Sequence, residues 1–313
     1  MIADTFLLEL TPEPTLDVAP SVILMRDALA AATTDLLAIP DSALETGWPW
    51  REDEADVRYG LYRTIEAVEA STVATTRILR DTGARRTAGA DRIAPTAIAQ
   101  WELQGLLATL DDSVLDRHSG NGEWTPRQVL GHIVSGHRAS GWFTAWWAAR
   151  PADEALPDRI PEAVIRASGL PDEETEGAGT LTEIRVRLAA VADLIAGRLA
   201  HLDDADLALP ARWASFPVTV GFRLGRWSSH LVEHTIQLDK TLVRLGRQPS
   251  EVDRLVRRLH GTYGHLEAVV HPMPAGLLAI VDARGCSVNR ILGELAAELT
   301  ADARSARAAT GTV

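Results

Sequence analysis

The residues best placed to do chemistry are His230 and His234, in the string His230-Leu231-Val232-Glu233-His234. Two His four apart lie on one face of a helix, so their ring nitrogens can converge on one ion. Neutral imidazole is the commonest side-chain metal ligand. The same spacing also suits hydrogen-bonded His with no ion, and the string alone leaves both readings open. A metal needs a further ligand, and His132 is the candidate, on a helix that opens at Thr125-Pro126. In an antiparallel bundle two such helices face each other through the core, where metal sites are built from inward side chains.

Other residues gather round this set. Glu233, Gln237 and Asp239 are candidates to accept the second N–H of a ligating imidazole. Gln237 lies three residues beyond His234 on the ligand side, where it is also a candidate contact for a cosubstrate, whereas Glu233 points roughly 100° away and toward solvent. Arg226 offers either a bidentate fork for a cosubstrate carboxylate or a salt bridge to an acidic neighbour. His137, five residues past His132, reads as a rim or surface His within reach of a cosubstrate. Trp142, Trp146 and Trp147 fall at helical spacing and read as core or interface packing. Trp124 and Trp227 read as packing at helix starts.

Composition narrows the chemistry. The 43 acidic residues outnumber the 31 basic ones, giving a formal charge of -12. That argues against nucleic acid, whose binding rests on a basic face. Cys286 is the only Cys, which excludes internal disulfides and Cys-rich zinc or iron–sulfur sites and fits a reducing cytoplasm. Residues 1–15 carry no basic segment or long apolar run, so they do not read as a signal peptide, and no stretch of about 18 apolar residues marks a membrane span. Lys240 is the only Lys among the 31 basic residues. An Ala- and Arg-rich chain nearly free of Lys suggests a high-GC, actinobacterial genome.

The elements that must position these residues read as helical nearly throughout. Apolar residues at three- and four-residue steps predict helices over about 22–39, 54–79, 96–110, 127–150, 181–202, 224–245, 250–270 and from 287 onward. The third starts after Pro95, with 81–94 as a linker. Residues 151–180 read as a long Pro-rich, acidic loop, a feature that commonly covers a site. Residues 210–217 read as a break, 277–281 as a strand or buried turn, and 301–313 as frayed. Gly285–Leu295 aligns with Gly225–Thr235 at an offset of 60, and the Trp48 region echoes the Trp124 region. The expected organisation is 1–91 as an N-terminal helical segment, 92–249 as a continuous four-helix bundle, and 250–313 as a C-terminal segment packing with 1–91. The echo maps His230 to Arg290, His234 to Glu294, and His132 near Asp56 or Arg58, so the outer bundle would be a degenerate half without metal.

The string Glu123-Trp124-Thr125-Pro126-Arg127-Gln128-Val129-Leu130-Gly131-His132-Ile133 resembles the first metal-ligand motif of the DinB/YfiT superfamily. The string Arg226-Trp227-Ser228-Ser229-His230-Leu231-Val232-Glu233-His234 resembles its second, and Gln237 through Pro249 is similar to that family's end of helix four. The resemblance covers about residues 92–249. It implies an all-α, DinB-like four-helix bundle holding a divalent metal, Zn or Ni, on His132, His230 and His234. It further implies a cytoplasmic, thiol-dependent S-transferase, with mycothiol as cosubstrate and a small electrophilic metabolite as substrate. Metal-dependent hydrolysis, thiol-dependent isomerisation and simple ligand binding are the alternatives. The maleylpyruvate isomerases of the family carry a Glu ligand where this chain offers His230, which sets that reaction apart. Apolar, Trp-rich helix faces suit a homodimer.

Overall fold

The structure is a computed structural model that describes residues 18–50, 54–120, 122–151 and 154–312. The N-terminal stretch read above for a signal peptide lies outside the described residues. In chain order the helices are α1 (Pro20–Leu37), α2 (Val57–Asp81), α3 (Ala88–Ala108), α4 (Pro126–Ala148), α5 (Glu162–Ala167), α6 (Glu173–Gly177), α7 (Leu181–Leu199), α8 (Asp204–Ala208), α9 (Val220–Arg244), α10 (Glu251–Val270), α11 (Ala275–Leu278) and α12 (Val288–Ala309). Strands β1 (Pro210–Trp213) and β2 (Phe216–Thr219) form one small antiparallel hairpin. The fold is all-α. No helix among the described residues is long and apolar enough to cross a membrane.

The chain divides into two compact units. One holds residues 86–96 and 111–247, and the other holds 18–85, 97–110 and 248 to the end of the described chain.

In the first unit α4 packs against α7 and α9. Each begins where the local chemistry dictates. Thr125 and Gln128 cap α4 reciprocally, as do Thr180 and Glu183 for α7, and the Thr219 side chain accepts from the Phe222 N–H at the start of α9. The inward stripes are Val129, Leu130, Ile133 and Val134 on α4, Ile184, Leu188 and Val191 on α7, and Leu224, Leu231, Leu238 and Leu242 on α9. Burial of each such side chain stabilises by about 1.5–3 kcal/mol. The hairpin fills the break before α9. Its tip residue Ala214 takes a φ of +52°, the left-handed conformation that a two-residue hairpin loop demands.

The second unit draws α1, α2, α10 and α12 around one core, with α1 and α2 both packed on α12 and on α10. Met25 and Leu29, Leu61 and Ile65, Val256 and Leu259, and Leu292 and Leu299 supply it. Inside that core Arg26 pairs with Glu267 at 2.7 Å, and the Tyr263 hydroxyl donates to the same carboxylate at 2.7 Å. The positions reached by the internal echo hold ion pairs. Arg290 pairs with Glu294 at 2.7 Å on the surface, and Arg58 pairs with Glu251 at 2.7 Å.

Several sequence expectations change. The helix expected after Pro95 begins at Ala88, and Pro95 lies inside it. Thr87 sets that start, because its hydroxyl accepts from the Ala90 N–H. Residues 151–180 contain α5 and α6 rather than continuous loop. The tail read as frayed is helical to Ala309, because Ala303 and Ala306 are buried and the Trp48 indole donates to Ser305 at 2.9 Å. Residues 275–278 form the short helix α11, and Val281 bridges to Ser287.

Candidate metal centre

His132 projects from α4, and His230 and His234 project from α9. Their closest ligand atoms all lie within 4.8 Å of one another, and all three rings are partly buried. Among the described residues no other group of three His, Cys, Asp or Glu side chains converges in this way. Nε2 of His234 lies 3.1 Å from Nε2 of His230. Two nitrogens each bound to a tetrahedral zinc at about 2.0–2.1 Å lie about 3.3 Å apart. The spacing therefore suits a shared cation.

The outer nitrogens of two rings are already engaged. Nδ1 of His234 lies 2.7 Å from Oε1 of Gln237, and Nδ1 of His132 lies 2.7 Å from Oε1 of Glu173. With Nδ1–H donating outward, the bare Nε2 faces inward, as a metal ligand requires. Nδ1 of His230 is buried with no hydrogen-bond partner. Burial, with the nearby His234, His132 and Arg226, pulls the pKa of His230 down to about 4. Its ring is neutral at physiological pH and has its lone pair available.

Glu173 lies in the stretch 151–180, which the sequence alone marks as loop. Asp172 caps α6 by accepting from the Thr175 N–H at 2.8 Å. Two glycines let α6 settle on α4. A Cβ at Gly131 would collide with the Glu173 carbonyl oxygen, and one at Gly177 would lie 3.1 Å from the Arg127 carbonyl oxygen. Arg127 secures the same segment by donating to the Gly177 and Gly179 carbonyls, each at 2.7 Å. Glu176, almost fully buried, receives Arg138 and Arg187. The only signal in the sequence was Gly131, immediately before His132.

The stacked rings were also hidden. Trp227 does not pack a helix start. Its ring stacks with that of His137 and with that of His230, each 4.4 Å away centroid to centroid. His137 is buried rather than at a rim, and burial holds its pKa well below the usual imidazole range. Trp124, by contrast, is half exposed and lies 5.1 Å from the ring of His132. Glu123 beside it receives both Lys240, at 2.9 Å, and Arg244 from the last turns of α9. Trp142 and Trp147 are buried within the unit, and Trp146 is partly buried.

Of the three side chains expected to meet a cosubstrate, Gln237 instead faces His234 and His137 faces Trp227. Arg226 donates to Ser229 at 2.7 Å and lies 3.7 Å from the exposed carboxylate of Glu233. Its guanidinium also lies over the Trp213 ring, 5.9 Å from the centroid.

Comparison with known proteins adds one match. The family model of the DinB superfamily covers residues 97–238, and no curated protein or solved structure matches the chain.

Proposed function

Because residues 97–238 match the family model of the DinB superfamily, we propose that this chain is a metal-dependent S-transferase that joins a low-molecular-weight thiol, mycothiol, to a small electrophilic metabolite. The superfamily includes metal-dependent enzymes that typically hold a divalent cation. The observation that carries the reading is the convergence of His132, His230 and His234 with two Nδ1 atoms already turned outward onto Glu173 and Gln237. Three protein ligands leave coordination positions open, the mark of a catalytic site. A divalent cation bound there supplies the charge that favours thiolate over thiol near neutral pH.

The side chains do the rest. Glu173 and Gln237 fix the imidazole orientations. Trp227 stacks on His230, whose burial keeps its ring neutral. The attacking sulfur in this reading is that of the cosubstrate thiol.

The test is incubation of purified protein with mycothiol and monobromobimane, followed by mass spectrometry. The expected product is the thioether, formed by wild type above the uncatalysed background and not by His234→Ala. An electrophile that is hydrolysed without thioether formation would replace the transferase reading with hydrolysis.

A further inference from the structure

Arg223 is only 5% exposed, yet no carboxylate of the described residues pairs with it. It donates to the Arg212 carbonyl oxygen, lies over the Trp213 ring 5.2 Å from the centroid, and leaves its buried Nε–H without an acceptor. A buried charge without a counter-charge is costly, and folded chains normally pair it. Burial alone pulls its pKa down to about 10, so it remains a cation at neutral pH. Arg226 lies over the same Trp213 ring, and its one acidic contact, Glu233, is a loose pair at an exposed carboxylate. Two guanidinium groups therefore share one indole and have almost no negative charge between them. Phe222, half exposed, packs edge-on against Trp213 at 6.3 Å and adds an apolar surface.

These cations stand in line with the metal ligands. Arg223, Trp227, His230 and His234 occupy positions four, three and four residues apart, one stripe along α9. The separation of seven positions from Arg223 to His230 corresponds to about 10 Å of helix. We infer that Arg223 and Arg226, stacked on Trp213, bind the oxyanion of a small anionic substrate, typified by an aromatic carboxylate, whose far end reaches the His132–His230–His234 centre. The inference rests on the proposed function for what happens at the far end, and not for the anion site itself. Arg223 then has the counter-charge that the described residues do not provide, and Trp213 and Phe222 contact the apolar body.

The experiment is binding of benzoate to the full-length protein, by calorimetry and by thermal shift, with benzamide as the neutral control. Benzenesulfonate and inorganic phosphate show which oxyanion is preferred. Each titration is run on protein as isolated and on protein treated with chelator, because a metal can itself bind carboxylate. Benzoate is expected to bind in both and benzamide in neither. Arg223→Met should weaken benzoate by about tenfold or more while leaving metal content unchanged. Its melting temperature without ligand should stay level or rise, since an unpaired buried charge has been removed. Arg226→Gln, at a more exposed position that cannot threaten the fold, should weaken benzoate less.

Three results would overturn the inference. Benzoate and benzamide binding alike is one, and equal benzoate affinity in wild type and both variants is another. The third is benzoate binding that vanishes with chelator and survives in both variants, which would place the anion on the metal. A large fall in melting temperature for ligand-free Arg223→Met would make Arg223 a structural residue and would also count against it. Failure to find metal, with benzoate still bound through Arg223, would remove the proposed function and leave the anion site standing.

Discussion

Oε1 of Glu173 lies 2.7 Å from Nδ1 of His132, across 41 residues of chain. This contact holds the imidazole of a His on α4 in one orientation, as a metal ligand would require. It also explains why an acidic, half-exposed residue is carried on a helix of only five residues. A carboxylate behind a ligating imidazole fixes its tautomer and raises its basicity, and loss of such partners typically weakens metal affinity about 10- to 100-fold.

Glu173→Gln therefore tests the partnership with minimal change in shape. It should weaken metal binding by about tenfold. The helical circular dichroism should not change, because Glu173 caps nothing. Competition with a chromophoric chelator measures the affinity. Unchanged affinity would reduce Glu173 to a surface residue.

Gly131→Ala tests how α6 is seated. The added methyl meets the Glu173 backbone, so α6 must move off α4 and carry the carboxylate with it. Overpacking of this kind costs about 1–3 kcal/mol. Thermal denaturation should show that loss together with a drop in metal affinity similar to that of Glu173→Gln. A variant that keeps both would show that α6 packs differently.

The pH dependence follows from two depressed imidazoles. His230 titrates at about 4 and His137 lower than its ordinary value, each because burial disfavours the charged ring. In the unfolded chain both titrate near 6.5, so below that pH the unfolded state binds more protons. The stability they permit is present above about pH 6.5 and is lost as pH falls toward their folded pKa values. Chelator-treated protein should melt at progressively lower temperature between about pH 6.5 and 5, above the range where most carboxylates titrate. His137→Phe, which retains a ring against Trp227, should flatten that slope. A flat profile in wild type would mean the two rings are hydrated.

How much of this was legible depends on the distance along the chain. The helix starts at Thr125 and Ser250 follow from capping residues that act within three positions, and the structure has capping boxes at both. Gln237 was read as sharing the His234 face, because that is a matter of local helical geometry. The early start of α3 was missed because Pro95 looked like a boundary, whereas the Thr87 cap decides it. Glu173 and the Trp227 stack were missed for a different reason. Each depends on two segments of distant sequence meeting, and periodicity says which face a residue occupies, not what lies opposite. His137 was misplaced for the same cause, since the indole that buries it comes from α9. The buried Arg223 carries no local signal at all, since an Arg at the start of a helix normally faces water.

The central claim is that His132, His230 and His234 hold one divalent cation per chain. Elemental analysis of purified protein, paired with His132→Ala, His230→Ala and His234→Ala, tests it most directly. Wild type is expected to hold about one equivalent of zinc or nickel and each of the three variants almost none, all still helical by circular dichroism. Wild-type protein that remains metal-free after incubation with zinc or nickel, or variants that retain a full equivalent, would contradict it.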